Sequence, residues 1–105
     1  MQVQINTDRN IEGDDRLAEV VEAVLRGALD RFSERITRVE VHLSDENSDK
    51  KFGTDDIRCV LEARLSGLNP LSVSARAGNV EESVDDAVGK LERALDTALG
   101  KLGRR

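Results

Sequence analysis

Few reactive side chains in this sequence stand where chemistry would need them. His42 is the single histidine and lies between Glu40 and Ser44 on a segment that alternates polar and apolar residues. A general base or a metal ligand needs convergent partners, and an alternating strand gives His42 none, so it reads as an exposed polar residue, with contact to RNA as the lesser alternative. Cys59 is the single cysteine, which excludes an intrachain disulfide and any cysteine-based metal site. It falls on the apolar side of its segment and reads as a small buried hydrophobe; a redox sensor would want exposure and a basic neighbour. The carboxylates of residues 45–56 lack the ligand order and the closing bidentate glutamate of a calcium loop. Gly78-Asn79-Val80 precedes a helix and could in principle cradle an anion, but Glu81, Glu82, Asp85 and Asp86 make the place hostile to phosphate, and a capped helix start is the simpler reading. No nucleophile–base pair, metal cluster or phosphate loop rises above background. The sequence therefore points away from an enzyme and implies no cofactor and no small-molecule substrate.

What remains is charge. Ionisable residues make up 35% of the 105-residue chain and the formal net charge is −5, a balance that weighs against a general nucleic-acid binder unless the basic residues are segregated. The strong periodicity of the apolar residues argues for a folded domain despite that charge. Arg38, Arg58, Arg64 and Arg76 alternate outward on strand-like segments with Glu40 and Glu62 among them. Cross-strand ion pairs are the ordinary explanation and a docking face the functional one. No aromatic residue interleaves them, so stacking of single-stranded bases is not provided for.

The elements that must position these residues are legible from period. Residues 2–6 alternate, with Val3 and Ile5 inward, and predict a short strand. Residues 7–14 are polar and predict a loop. Leu17, Val20, Val21, Val24, Leu25, Ala28, Leu29 and Phe32 recur at helical spacing; with Asp14 as cap they predict a helix over about residues 14–33. A second strand is expected from Ile36 to Ser44, with Val39, Val41 and Leu43 inward. A third runs from Ile57 to Ser66, and a fourth carries Leu71, Val73, Ala75 and Ala77 inward after the turn Gly67-Leu68-Asn69-Pro70. Residues 45–55 are almost wholly polar and read as a mobile acidic hairpin loop. Asn79, with Glu82 three residues on, opens a last helix whose buried stripe includes Val84, Ala87, Val88, Leu91 and Leu95. With only Phe32 and Phe52 for aromatics, the core must be aliphatic. The expectation is one α+β domain over residues 1–105: a βαβββα two-layer fold with a four-stranded mixed sheet and both helices on one face. The start, Met1-Gln2-Val3-Gln4-Ile5, is unlike a signal peptide, and no run approaches a membrane span; a reducing, cytoplasmic setting without a membrane partner is expected.

Topology turns the sequence into a charge map. The loop after the first strand, the hairpin between the second and third, and the start of the last helix share one end. Residues 7–15, 44–57 and 77–86 carry −3, −3 and −4 there, −10 together, which leaves +5 for the rest. Both helices run away from that end, so Arg31 and Arg35 should lie within reach of Arg93, Lys101, Arg104 and Arg105 at a basic pole. Complementarity to the helix dipoles explains part of this segregation but not the acidic hairpin.

Three segments carry a family resemblance: Met1 to Ile5, Phe32-Ser33-Glu34-Arg35-Ile36-Thr37-Arg38-Val39, and Val84 to Leu95, where Lys90-Leu91-Glu92-Arg93-Ala94-Leu95 is the most specific piece. Over nearly its whole length the chain resembles the short form of the bacterial ribosome hibernation-promoting, or ribosome-associated inhibitor, family. The resemblance implies a fold like that of double-stranded-RNA-binding domains. It also implies a place on the small ribosomal subunit, where such a protein obstructs the paths of mRNA and tRNA under stress. By position, Lys90, Arg93 and Lys101 match rRNA-contacting sites of the last helix, Arg104 and Arg105 extend them, and Arg31, Arg35 and Arg38 are looser candidates. The partner implied is the small subunit and its rRNA, with the protein a monomer when off the ribosome. Two departures stand out: Glu92 and Asp96 interrupt the family's dense run of Lys and Arg, and the loop after the second strand is unusually acidic. They leave open an alternative, a diverged protein-interaction module of the same fold that does not bind ribosomes.

Overall fold

The computed structural model describes residues 1–46 and 56–103, the last three by their backbone alone. Strand β1 (Gln2–Thr7) is followed by helix α1 (Asp15–Ala28), a short 3₁₀ turn (Asp30–Phe32), strands β2 (Ile36–Asp45), β3 (Ile57–Leu65) and β4 (Leu71–Ala77), and helix α2 (Val80–Gly103). The sheet order is β1-β2-β3-β4, with β1 parallel to β2 and the other pairs antiparallel. This is the expected βαβββα architecture. From residue 47 on, the segment expected to form a mobile acidic loop lies outside the described residues; before it, the Glu46 amide donates to the Asp56 carbonyl at 2.9 Å and closes the stem of the β2–β3 hairpin.

Alternation along the strands makes one sheet face dry. Val39, Val41 and Leu43 of β2, Cys59, Leu61, Ala63 and Leu65 of β3, and Ala75 and Ala77 of β4 are buried. Val21 and Leu25 of α1, then Leu29 and Phe32, cover that face beside Val84, Ala87, Val88, Leu91 and Leu95 of α2. Each buried Leu or Val contributes roughly 1.5–3 kcal/mol relative to exposure, which is how an almost wholly aliphatic core suffices.

Three local details depart from simple period. Ile36 is buried, although strict alternation from Val39 would turn it outward. The register of β2 against β3 shifts between Ile36 and Arg38, and the extra residue, Thr37, donates its hydroxyl to the Arg64 carbonyl at 3.1 Å. This bulge returns Ile36 to the core. The first helix ends at Ala28 instead of near residue 33. Beyond it the Phe32 amide donates to the Leu29 carbonyl at 2.9 Å and the Ser33 amide to the Asp30 carbonyl at 3.0 Å, both three residues back. A 3₁₀ turn keeps Leu29 and Phe32 on the same face as a continued helix would, so side-chain spacing cannot tell the two apart. Val20, which falls in the apolar stripe of α1 by spacing, is 38% exposed because it faces the cleft between the helices. The loop after β1 is likewise less free than its polarity suggests: Ile11 is buried, and the Asp8 carboxylate accepts from the Asn10 and Asp45 amides at 3.0 and 3.1 Å.

Both helices start on a side-chain cap. The Asp14 carboxylate accepts from the Leu17 amide, and the Asn79 side-chain oxygen from the Glu82 amide, each at 2.8 Å. These bonds satisfy amides that the helix itself leaves unpaired.

Gly67 holds φ +75° in the β3–β4 turn, and nothing lies within 4 Å of where a Cβ would stand. Gly67→Ala should therefore destabilise by about 1 kcal/mol through backbone strain alone. A denaturant midpoint equal to that of the parent would refute the strain. Burial also pushes the Cys59 thiol up to about 12, because desolvation disfavours the thiolate. At pH 8 the folded protein should resist a disulfide-exchange thiol reagent and react only at its unfolding rate. Rapid labelling under native conditions would contradict the packing described.

Candidate nucleic-acid interface

The apolar stripe of α2 fixes the rotation of the helix on the sheet, and the rotation fixes what each flank shows. At about 3.6 residues per turn, positions 90, 93 and 101 fall on one flank and positions 81, 85, 92 and 96 on the other. The side chains bear this out in opposite directions. The Lys90 ammonium donates to the Ser74 carbonyl of β4 at 2.8 Å. Asp96 instead meets Arg31, beyond the end of α1, with two parallel bonds of 2.8 and 3.1 Å. Glu92 and Asp96 thus interrupt the basic run in the sequence but not on the surface.

The basic flank of α2 and the edge strand β4 form a groove of about 280 Å³ lined by Arg76, Lys90 and Arg93, with Asp85 and Asp86 nearer the start of the helix. The Arg93 guanidinium lies back along the helix, 3.5 Å from where a side-chain carbon on Gly89 would be. Among the described residues neither Lys90 nor Arg93 is within ion-pair distance of a carboxylate, whereas Arg76 is 2.7 Å from Glu46. Sequence alternation placed Arg76 with the outward arginines of the sheet. Because β4 is an edge strand beside α2, Arg76 also belongs to this groove, and only the strand order could have revealed that.

At the lower end, Arg31 stands over the Phe32 ring at 4.0 Å and is held by Asp96. The paired hydrogen bonds raise the Arg31 guanidinium further above its ordinary value and hold the Asp96 carboxyl below the usual carboxylate range. The basic pole expected from the charge map is not formed by Arg31 and Arg93: Arg93 lies on the β4 side of α2, while Arg31 stands on the opposite flank and closes on Asp96, because the seating of the helix turns positions 93 and 96 to different sides. Arg35 is exposed near the same end and makes no ion pair among the described residues. The side chain of Lys101 and the whole of Arg104 and Arg105 lie outside the described residues.

Arg38 is on the other side of the sheet. It is 3.3 Å from Glu40 and hydrogen-bonded to the Gln4 side chain. Register sets like charges directly opposite on this face: Arg38 against Arg64, Glu40 against Glu62, Arg58 against Arg76. Each such pair is repulsive on its own. Offset partners compensate: Glu40 and Glu62 lie 3.9 and 3.7 Å from Arg64, and Glu46 lies 3.5 Å from Arg58. His42 is 3.4 Å from Glu40, an exposed member of the same network. Four arginines share three glutamates here, so that each arginine has an acidic partner, the arrangement expected of ordinary ion pairs. Among the described residues no group of His, Cys, Asp and Glu is placed to hold a metal ion, and no helix is long and apolar enough to cross a membrane.

Residues 4–103 match the family described as sigma 54 modulation protein / S30EA ribosomal protein. Among solved structures, the fold is similar to the N-terminal domain of Protein Y from Thermus thermophilus, with a TM-score of 0.73 at 24% identity, covering 92% of this chain and 98% of that one. It is also similar to a ribosomal subunit interface protein from Coxiella burnetii, with a TM-score of 0.72 at 16% identity, covering 95% and 99% of the two chains. No curated protein matches the sequence. The two structures speak for the fold, and the family match, which runs along nearly the whole sequence, speaks for descent: this chain belongs to the sigma 54 modulation protein / S30EA ribosomal protein family.

Proposed function

We propose that the protein associates with the ribosome and silences translation by occupancy. In this reading it docks on the small subunit as a folded plug, is held by lysine and arginine contacts to rRNA phosphates, performs no chemistry, and obstructs the mRNA and tRNA paths in the cytoplasm. Family membership supports ribosome association, as does the description of the Coxiella burnetii relative as a ribosomal subunit interface protein. The observation that carries the reading within this molecule is the basic flank of α2, where Lys90, resting on the Ser74 carbonyl, and Arg93, lying back along the helix, are exposed with no carboxylate within ion-pair distance among the described residues. Arg35 and the residues at positions 101, 104 and 105 would extend that flank. Arg31 and Arg38 are restrained by Asp96 and Glu40 and would contribute only on release.

Cations that neutralise phosphates release counterions, so binding must weaken with salt, and removing one such cation flattens the log–log salt slope by about 0.7–0.9. The protein should co-sediment with cognate ribosomes at low salt and dissociate as salt rises. Lys90→Glu combined with Arg93→Glu should lower that affinity at least tenfold while leaving the denaturation midpoint nearly unchanged. Co-sedimentation equal to that of the parent would remove the α2 flank from the interface, and no binding at any salt would remove the ribosome altogether.

The Arg31–Asp96 pair can be probed separately. Asp96→Asn frees the guanidinium, so ribosome binding should tighten and its salt slope steepen by the equivalent of about one phosphate. An unchanged slope would place Arg31 away from the phosphates.

A further inference from the structure

The flank of α2 opposite Lys90 carries Glu81, Asp85, Glu92 and Asp96, and among the described residues only its lower half is answered by a cation. Arg31 fills its lower part, bonded to Asp96 with Glu92 alongside. In the upper part Glu81 and Asp85 overlook a cleft of about 410 Å³ between the first turns of the two helices. The walls of that cleft are aliphatic. Val21 and Val84 are buried at its base, while Leu17, Val24 and Val80 are half-buried, and Val20, at 38% exposure, is the one large apolar side chain exposed among the described residues. Glu12 and Asp14 stand on the rim with Glu81 and Asp85; among the described residues Arg16 is the one cation lining it, and Asp14 is engaged in capping α1. Among the described residues Glu12, Glu81 and Asp85 make no ion pair.

An apolar trough with an acidic rim excludes nucleic acid, whose phosphates the carboxylates repel, and it does not suit a purely apolar occupant, which would leave the rim unanswered. Charge and shape together specify an amphipathic segment with aliphatic side chains for the trough and lysine or arginine on either side for the rim. Arg31 shows the chemistry in place farther along the same flank: a guanidinium beyond the end of α1 closing on a carboxylate of α2. We infer that the upper α1–α2 cleft is a docking site for a cationic amphipathic segment of a partner protein, seated on Val20 and Val80 and held by Glu81 and Asp85. The cleft lies on the α1 side of α2 and shares only Asp85 with the basic groove, so one molecule would hold phosphate with one flank of the helix and a basic protein segment with the other.

The test uses the full chain and a fluorescently labelled synthetic helix-forming peptide with leucines at positions i, i+3, i+4 and i+7 and lysines elsewhere, together with a counterpart in which serines replace the leucines. Amide shifts on titration should localise to residues 17–24 and 80–85. The leucine peptide should bind at least tenfold more tightly than the serine peptide. Val20→Glu, at a half-open position that tolerates the change, and Glu81→Gln with Asp85→Asn should each weaken the leucine peptide at least tenfold. Equal binding of both peptides with Val20→Glu silent would reduce the effect to attraction of any polycation and overturn the proposal, as would the absence of saturable binding at low salt. Movement of the same amides with protein concentration alone would give the cleft to a second copy and overturn it equally. Because Val20→Glu should co-sediment with ribosomes as the parent does, failure here leaves the ribosome reading intact, and failure of co-sedimentation leaves this one intact.

Discussion

The seating of α2 on the dry face of the sheet is the constraint on which the rest depends. Val84, Ala87, Val88, Leu91 and Leu95 are all buried, and together they leave the helix one rotation about its axis. Turning it by a third would expose that stripe, at a cost of roughly 1.5–3 kcal/mol for each large side chain brought into water, and would bury charged residues without partners. The rotation therefore holds against any preference the charges have. Those charges are consequently sorted by geometry: Lys90 and Arg93 toward β4 with Asp86 above them, Glu81, Glu92 and Asp96 toward α1, and Asp85 between the two clefts.

This sorting is how a chain that is acidic overall presents a basic surface. Net charge governs solubility and long-range repulsion, but contact is made by surfaces within a Debye length of about 8 Å at physiological salt. Across a helix about 10–12 Å in diameter, the two flanks are far enough apart to present different potentials to different partners. The balanced network on the open sheet face adds to the separation, because its arginines are already spoken for by Glu40, Glu46 and Glu62.

Much of the fold was legible in the sequence because period 2 and period 3.6 report directly which side chains can share a face. The order of elements, the dry faces of the strands and the caps at Asp14 and Asn79 were all readable in that way. Details invisible to period were those in which the backbone changes while side-chain spacing does not, such as the 3₁₀ turn at Asp30–Phe32, or in which one inserted residue resets the phase, as at Thr37. For the proposed site, Lys90, Arg93, Lys101, Arg104, Arg105, Arg31, Arg35 and Arg38 could be nominated from position and charge, without regard to what each side chain meets. The pairing of Arg31 with Asp96 could not, because the two are 65 residues apart in sequence and only the packing of the helices brings them together. Nor could the significance of Glu92 and Asp96, which look like interruptions along a line of letters and prove to be the other side of a cylinder.

The bond from Lys90 to the Ser74 carbonyl carries a consequence for β4 itself. An outermost strand offers unpaired backbone groups to any passing chain, and a lysine laid against it is one of the ways proteins discourage such annealing. Here the guard of the edge is also the lysine that the proposed function assigns to phosphate. A charge change at position 90 therefore alters the margin of the sheet as well as the flank of the helix.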